Sequence, residues 1–422
     1  MLSKLARLLT SNIITVSLSH HAWATPIVSD HSLAHVDETH SDGFSQPSAN
    51  VQQPLTNPKS TFVANGLVLN NLPVRLSYKH PLRGQMRINA VTDDNGKAKF
   101  QDPAWPTTGV AFDITVILDG RPAGSRYIIV GDDKDPDKPI QYIKNYLEQP
   151  PTSLTVNIDD VTNPSLRLSE VLRNLAANTV QLGLPFQLLT AIYPDTQNKY
   201  GAFGLSEDGR SMMRVGTKAT RLVVAHEWGH FFTYLAQQEH YIYYGGGNAD
   251  GHDSCADKPQ DPQVAFGEGF ASAYALIMED AKDGILEDDS QNPTNYELYS
   301  CSKSQNMRTD EGRFTAALFD LWDSTNDNNG GDQAWGAQGH EDSNSDLELT
   351  PQEILLDPIR NALTKKAPDN YILSPMAYWQ TLEEVLTKKQ GSDPQWKEKL
   401  EKASEIFKCD DADLGGVDVE IK

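Results

Sequence analysis

Hydrophobic and polar residues alternate with two different periods along the chain. Between residues 61 and 160 the apolar runs are short: FVANGLVL (62–69), PVRLSYKH (73–80), MRINAVT (86–92), KAKFQD (97–102), AFDITVIL (111–118) and RYIIVG (126–131). They are rich in β-branched and aromatic residues and bounded by turn residues, the pattern of strands. Asn95-Gly96 predicts a hairpin, because both residue types tolerate positive φ. Strands at this spacing, with no helical period between them, predict a β-sandwich over 61–160. From about residue 165 the period lengthens. LSEVLRNLAANTVQLG (168–183) reads as an amphipathic helix, and PFQLLTAIYP (185–194) and KYGAFGLSEDGRSMMRVG (199–216) as two or three strands. ATRLVVAHEWGHFFTYLAQQ (219–238) is a long helix with Thr217 or Thr220 as its N-cap. Helical periods then recur in the stretches beginning at Phe266, Asp310, Leu349, Met376 and Trp396.

Neither period is present near the N-terminus. Residues 25–60 are polar and aperiodic, which predicts a disordered linker and a solvated setting for His31, His35 and His40. Residues 1–24 carry Lys4 and Arg7, a short apolar core over 8–18 and Ala22-Trp23-Ala24. That is a signal peptide cleaved before Thr25, so the protein is expected to be exported, to the periplasm or outside the cell. No later stretch is apolar for long enough to span a bilayer. The formal net charge of −22 over 422 residues argues against a nucleic-acid partner. Export permits a disulfide between two of Cys255, Cys301 and Cys409. Cys255–Cys301 is favoured because both flank one helical stretch, leaving Cys409 as a free thiol or alternative partner.

The long helix carries the chemistry. In AHEWGH (225–230), His226 and His230 are four apart and share one helical face, so both imidazoles can reach one ion. Glu227 projects from the adjacent side, placed to touch a water on that ion and not to ligate it. This is the HExxH arrangement of zincins, in which zinc takes three protein ligands and keeps one position open. The apolar flanks LVVA and FF bury the helix on all sides, and buried His and Glu are costly unless paired or metal-bound. Gly229 weakens an ordinary helix but lets a neighbouring element approach. The alternative is a His pair with no ion.

A metzincin third ligand is excluded, since Thr233 and Ala236 stand where Gly and His are needed. His240, His252, Asp250 and Asp253 could each supply it, and Glu268, on the next predicted helix among apolar residues, is the better candidate. The stretch GEGFAS (267–272) resembles the NEGFAS helix of gluzincins of the aminopeptidase N type, which implies that Glu268 is the third zinc ligand. No counterpart of that family's amine-binding GxMEN strand is present, because Gly204-Leu205 replace Glu-Asn in YGAFGL. The resemblance therefore implies the fold and the ion but not aminopeptidase specificity. Over about 165–380 the series HEWGHFF (226–232), GGGNADGH (245–252), DPQVAFGEGF (261–270) and ALFDLWDSTND (317–327) also resembles a group of exported bacterial gluzincin-like proteins, and TDDNGKAKF (92–100) resembles a hairpin of carboxypeptidase-regulatory-like and bacterial Ig-like domains.

A second ion, Ca2+, is suggested by DSNSDLELTPQE (342–353). Asp342, Asn344, Asp346, Glu348, Thr350 and Glu353 fall at EF-hand positions, although Leu347 replaces the required glycine. The alternative is an acidic loop before an N-capped helix. The expectation is thus a multidomain α+β protein: an N-terminal β-sandwich, then a zincin-like metalloprotease domain over 161–422 with a helical C-terminal half. Zn2+ is held by His226, His230 and Glu268, and Glu227 acts as general base on a zinc-bound water to cleave a protein or peptide substrate. Tyr241, Tyr243, Tyr244, His240, His252, Arg313 and His340 are candidates for the oxyanion donor. The competing expectations are a non-catalytic binding protein on the same scaffold, or a zinc hydrolase of a non-peptide amide.

Overall fold

The computed structural model describes residues 59–64, 67–101, 110–122, 125–131, 134–146, 153–158, 164–185, 187–196, 200–238, 261–281, 310–322, 349–365, 371–391, 393 and 395–410. A β-rich N-terminal region is followed by a largely helical one. The strands are β1 (Lys59–Ala64), β2 (Leu67–Val68), β3 (Pro73–His80), β4 (Gly84–Val91), β5 (Lys97–Lys99), β6 (Phe112–Ile117), β7 (Asp119–Gly120), β8 (Arg126–Val130), β9 (Gln141–Tyr146) and β10 (Ser153–Ile158). Then come α1 (Pro164–Gln181), β11 (Leu188–Asp195), β12 (Gly201–Leu205), β13 (Ser211–Gly216), α2 (Arg221–Ala236), α3 (Pro262–Met278) and α4 (Glu311–Trp322). The chain continues through α5 (Pro351–Leu355), α6 (Asp357–Leu363), α7 (Pro375–Gln390) and α8 (Gln395–Asp410).

Two sheets belong to the N-terminal region. One runs β4-β3-β6-β9, antiparallel throughout; the other runs β10-β1-β2, with β5 also on β1. In the first, alternate residues Val74, Leu76, Tyr78, Phe112, Ile114 and Val116 are buried, as a sheet with one covered face requires. Strands β9 and β10 were not visible in the sequence pattern. Gln141–Tyr146 carries few aliphatic residues, and Ser153–Ile158 is defined by parallel pairing with β1, almost a hundred residues earlier. The Asn95-Gly96 turn forms, but only Gly96 takes positive φ (67°), and Asp93 Oδ1 accepts the backbone N–H groups of Asn95 and Lys97. Gly96 N–H and Asp93 N–H close the turn on Asp93 O and Lys97 O, and beyond it Lys97–Lys99 pairs with β1.

The third sheet, β12-β13-β11-β8-β7, builds the site. Its β8, β11 and β13 are mutually parallel and β12 is antiparallel to β13. β7 and β8 come from the stretch expected to lie wholly in a sandwich, yet they complete this sheet. The reason lies in RYIIV: Tyr127, Ile128, Ile129 and Val130 are all buried, the continuous apolar run of a parallel strand covered on both faces. Tyr127, Ile129, Leu189, Ala191, Met213 and Val215 join the main core with α1 and α2, while Ile128, Val130, Ile192 and Met212 form a small cluster of their own. No helix among the described residues is long and apolar enough to cross a membrane.

Candidate metal centre

Helix α2 starts where Thr220 caps it, its side chain accepting the N–H of Val223, which settles the choice between Thr217 and Thr220. Every residue of α2 after Arg221 is buried. Trp228 Nε1 donates to Thr179 Oγ1 of α1 at 3.0 Å, and Phe231 and Tyr234 pack on Phe203 of β12. At the other end Gln237, fully buried, pairs its side-chain amide with both the N–H and the C=O of Ile372. The helix is thereby fixed against rotation on three sides.

Helix α3, capped by Asp261 with Pro262 at its first position, runs antiparallel to α2 and supplies the third side of the site. Gly229 is the point of closest approach: a Cβ there would stand 2.7 Å from the Cα of Ala271. The glycine between the two histidines therefore serves packing, as its position suggested. Gly269 repeats the device toward α4, where a Cβ would meet the carbonyl oxygen of Glu311 at 2.6 Å; Thr315 Oγ1 donates to the Gly269 carbonyl at 3.1 Å. An Arg221–Glu279 ion pair joins the start of α2 to the end of α3. Burial pushes the Glu279 carboxyl up, and the charge of Arg221 opposes that shift.

Between these helices three side chains converge. His226 Nε2 is 3.1 Å from Glu268 Oε2, His230 Nε2 is 3.3 Å from the same oxygen, and the two Nε2 atoms are 3.2 Å apart. The rings stand nearly perpendicular, at 84°. Relative exposures are 4% for His226, 7% for His230 and 1% for Glu268. A tetrahedral zinc site with bonds of about 2.0–2.1 Å sets its ligand atoms about 3.3–3.4 Å apart, so the triangle has nearly the size that such an ion requires. The chemistry of the donors agrees. With each imidazole neutral and protonated at Nδ1, three lone-pair atoms face one another inside the protein, an arrangement that a cation between them would stabilise. No other group of His, Cys, Asp and Glu among the described residues forms such a cluster.

Glu227 stands outside this triangle and is 1% exposed. Its side chain lies against β12, where a Cβ on Gly201 would be 2.8 Å from its Cγ and 2.9 Å from its Oε1. The two histidines and Glu227 thus leave α2 on different sides, as the helical spacing requires. β12 is the last strand of its sheet among the described residues. Tyr200 O accepts from Gly216 N, and Ser206 N donates to Arg210 O. The alternation of an antiparallel pair therefore turns the backbone groups of Gly201 and Leu205 away from β13.

Sequence reasoning missed two contacts here. Ser272 Oγ lies 3.0 Å from His226 Nδ1, and Gly201 gives Glu227 its space. The first had a signal, because Ser272 is four residues after Glu268 and so shares its face of α3. The second had none, since it joins residues of different elements. Of the candidate oxyanion donors, Arg313 lies buried on α4; Tyr241, Tyr243, Tyr244, His240, His252 and His340 lie outside the described residues, as do Asp250, Asp253, Cys255 and Cys301. Residues 342–348 of the expected calcium loop are also outside them. Its last position is described and is committed elsewhere. Glu353 forms a capping box with Thr350, and its Oε1 is 2.6 Å from Lys389 Nζ. An N-capped helix accounts for this end of the motif, and nothing described there supports Ca2+.

Residues 187–348 match the family described as Mycolysin C-terminal domain. The matched stretch contains His226, Glu227, His230 and Glu268, and it relates this part of the chain to a zinc metallopeptidase family. No curated protein matches the chain. Among solved structures a 9R-lipoxygenase from Cyanothece aligns over 33% of this chain and 25% of its own length, at 12% identity and a TM-score of 0.17. This chain thus spans a quarter of that protein, and the likeness is too low to carry any inference about fold or function.

Proposed function

We propose that the protein is a zinc-dependent endopeptidase. The observation that carries this reading is the buried His226–His230–Glu268 triangle with Glu227 held just outside it, against the last strand of a sheet. His226, His230 and Glu268 would hold zinc, which, when bound, acts as a Lewis acid toward a carbonyl and makes water a nucleophile near neutral pH. Glu227 takes the proton from the attacking water and returns it to the leaving amine, so its carboxylate is needed in ionised form at the start of each cycle. The backbone groups of Gly201 and Leu205 receive an extended peptide as an added strand, which brings its carbonyl beside Glu227. Gly204 and Leu205 put no carboxylate on β12 to hold a substrate's free amine, so cleavage within chains is favoured over removal of the first residue.

The signal sequence in residues 1–24 adds that the enzyme works after export, on protein or peptide substrates outside the cytoplasm. The reading is tested by incubating the mature protein with a denatured protein mixture and identifying new termini by mass spectrometry. Wild type is expected to generate internal cleavages that vanish with a zinc chelator and in Glu227→Gln. A zinc-loaded protein that leaves every substrate intact would instead be a binding protein built on the same scaffold, and cleavage that persists in Glu227→Gln would remove the general base from this account.

A further inference from the structure

One turn of α3 touches both nitrogens of the same imidazole. Glu268 faces His226 Nε2 at 3.1 Å, and Ser272, one helical turn later, faces Nδ1 at 3.0 Å. Ser272 is 7% exposed, and the close approach of Ala271 to Gly229 brings this turn of α3 against the histidine. We propose that Ser272 is a positioning residue for the metal centre: its Oγ accepts the Nδ1 proton of His226 and so selects the tautomer whose Nε2 lone pair points at the ion. This inference rests on the metal reading above and extends it to a residue outside the ligand set.

The two neutral tautomers of His226 compete. With the proton on Nδ1, Ser272 accepts it and Nε2 is ready to ligate. With the proton on Nε2, the ring donates to Glu268, and that proton must leave before an ion can enter. Removing the hydroxyl takes an acceptor from the Nδ1–H and so penalises the first tautomer relative to the second, whose Nε2–H bond to Glu268 is charge-assisted. Partners of metal-bound histidines act in this way, and their loss weakens metal binding by about 10- to 100-fold.

The test uses the full mature protein and zinc itself. Zinc affinity is measured by competition with a chromophoric chelator in wild type, Ser272→Ala and Ser272→Thr. Nitrogen-15 NMR of zinc-free, histidine-labelled protein, with the His226 signal assigned from His226→Gln, reports which ring nitrogen carries the proton. Expected are a 10- to 100-fold weaker zinc affinity in Ser272→Ala, recovery in Ser272→Thr, and a shift of the His226 proton from Nδ1 toward Nε2 in Ser272→Ala alone. Unchanged thermal unfolding separates this from a packing defect. Equal affinity and an unchanged tautomer in Ser272→Ala overturn the proposal. Wild type that binds no zinc sinks the metal reading instead, and the zinc-free tautomer measurement still decides whether Ser272 sets the proton.

Discussion

Gly201→Ala isolates the contact between Glu227, the proposed general base, and the strand beside it. The added Cβ would sit 2.8 Å from Glu227 Cγ, 2.9 Å from its Oε1 and 3.0 Å from Val223 Cγ1. Carbon atoms rest at about 3.5–4.0 Å, so either Glu227 or β12 must move by about 0.7 Å. Displacement of a reacting group by an ångström costs on the order of 10²-fold in rate, and smaller shifts cost less, so kcat should fall roughly 10- to 100-fold. His226, His230 and Glu268 are not among the nearest atoms to that Cβ, so zinc content should stay at the wild-type level. The assay is a fluorogenic peptide chosen from the cleavages of wild type, with metal analysis on the same samples. Full activity in Gly201→Ala would show that the base tolerates the crowding and that this contact does not position it. Loss of zinc would show that the strand supports the ligands and not the acid.

Gly229→Ala places a methyl 2.7 Å from the backbone of Ala271, which cannot yield without separating α2 from α3; a loss of about 1–3 kcal/mol in denaturant unfolding and weaker zinc binding are expected together. Trp228→Phe removes the donor to Thr179 in a fully buried setting, and should cost about 1–2 kcal/mol while zinc content is retained; a larger loss of zinc than of stability would contradict a purely structural role. Burial works against ionisation of Glu353, but its bonds with Lys389 and the Thr350 backbone outweigh that and hold its pKa below the ordinary value. The depressed pKa contributes stability above the unfolded value of about 4.3 and loses it as pH falls through the lower folded value. Thermal unfolding across pH 6 to 3 should therefore fall less steeply in Glu353→Gln than in wild type, and parallel curves would argue against the linkage.

The site was legible in the sequence wherever its chemistry is local to one helix. His226, Glu227 and His230 span little more than one turn of α2, so spacing alone separates the proposed ligands from the proposed base. Glu268 stood out on the next helix among apolar residues, and its proposed role as third ligand came from the resemblance of GEGFAS to a gluzincin helix. What stayed hidden depends on distant pairing. RYIIV could be recognised as a strand but not assigned to its sheet, because a run buried on both faces has no polar side to orient it. β10 has its partner at the other end of the N-terminal region. The contact of Gly201 with Glu227 joins a strand residue to a helix residue 26 positions later in the sequence, and a glycine carries no pattern that says which side chain fills its space. At residue 353 two physical demands on one glutamate, capping and calcium ligation, predict the same letter; only the contacts with Thr350 and Lys389 separate them.

His226, His230 and Glu268 are proposed to form one zinc site. Metal analysis by mass spectrometry of the purified protein, run beside Glu268→Ala, tests this most directly. About one zinc per chain in wild type, and little or none in Glu268→Ala with the fold intact by circular dichroism, is the predicted result. Zinc retained at full stoichiometry in Glu268→Ala, or absent from wild type after incubation with excess metal, would contradict it.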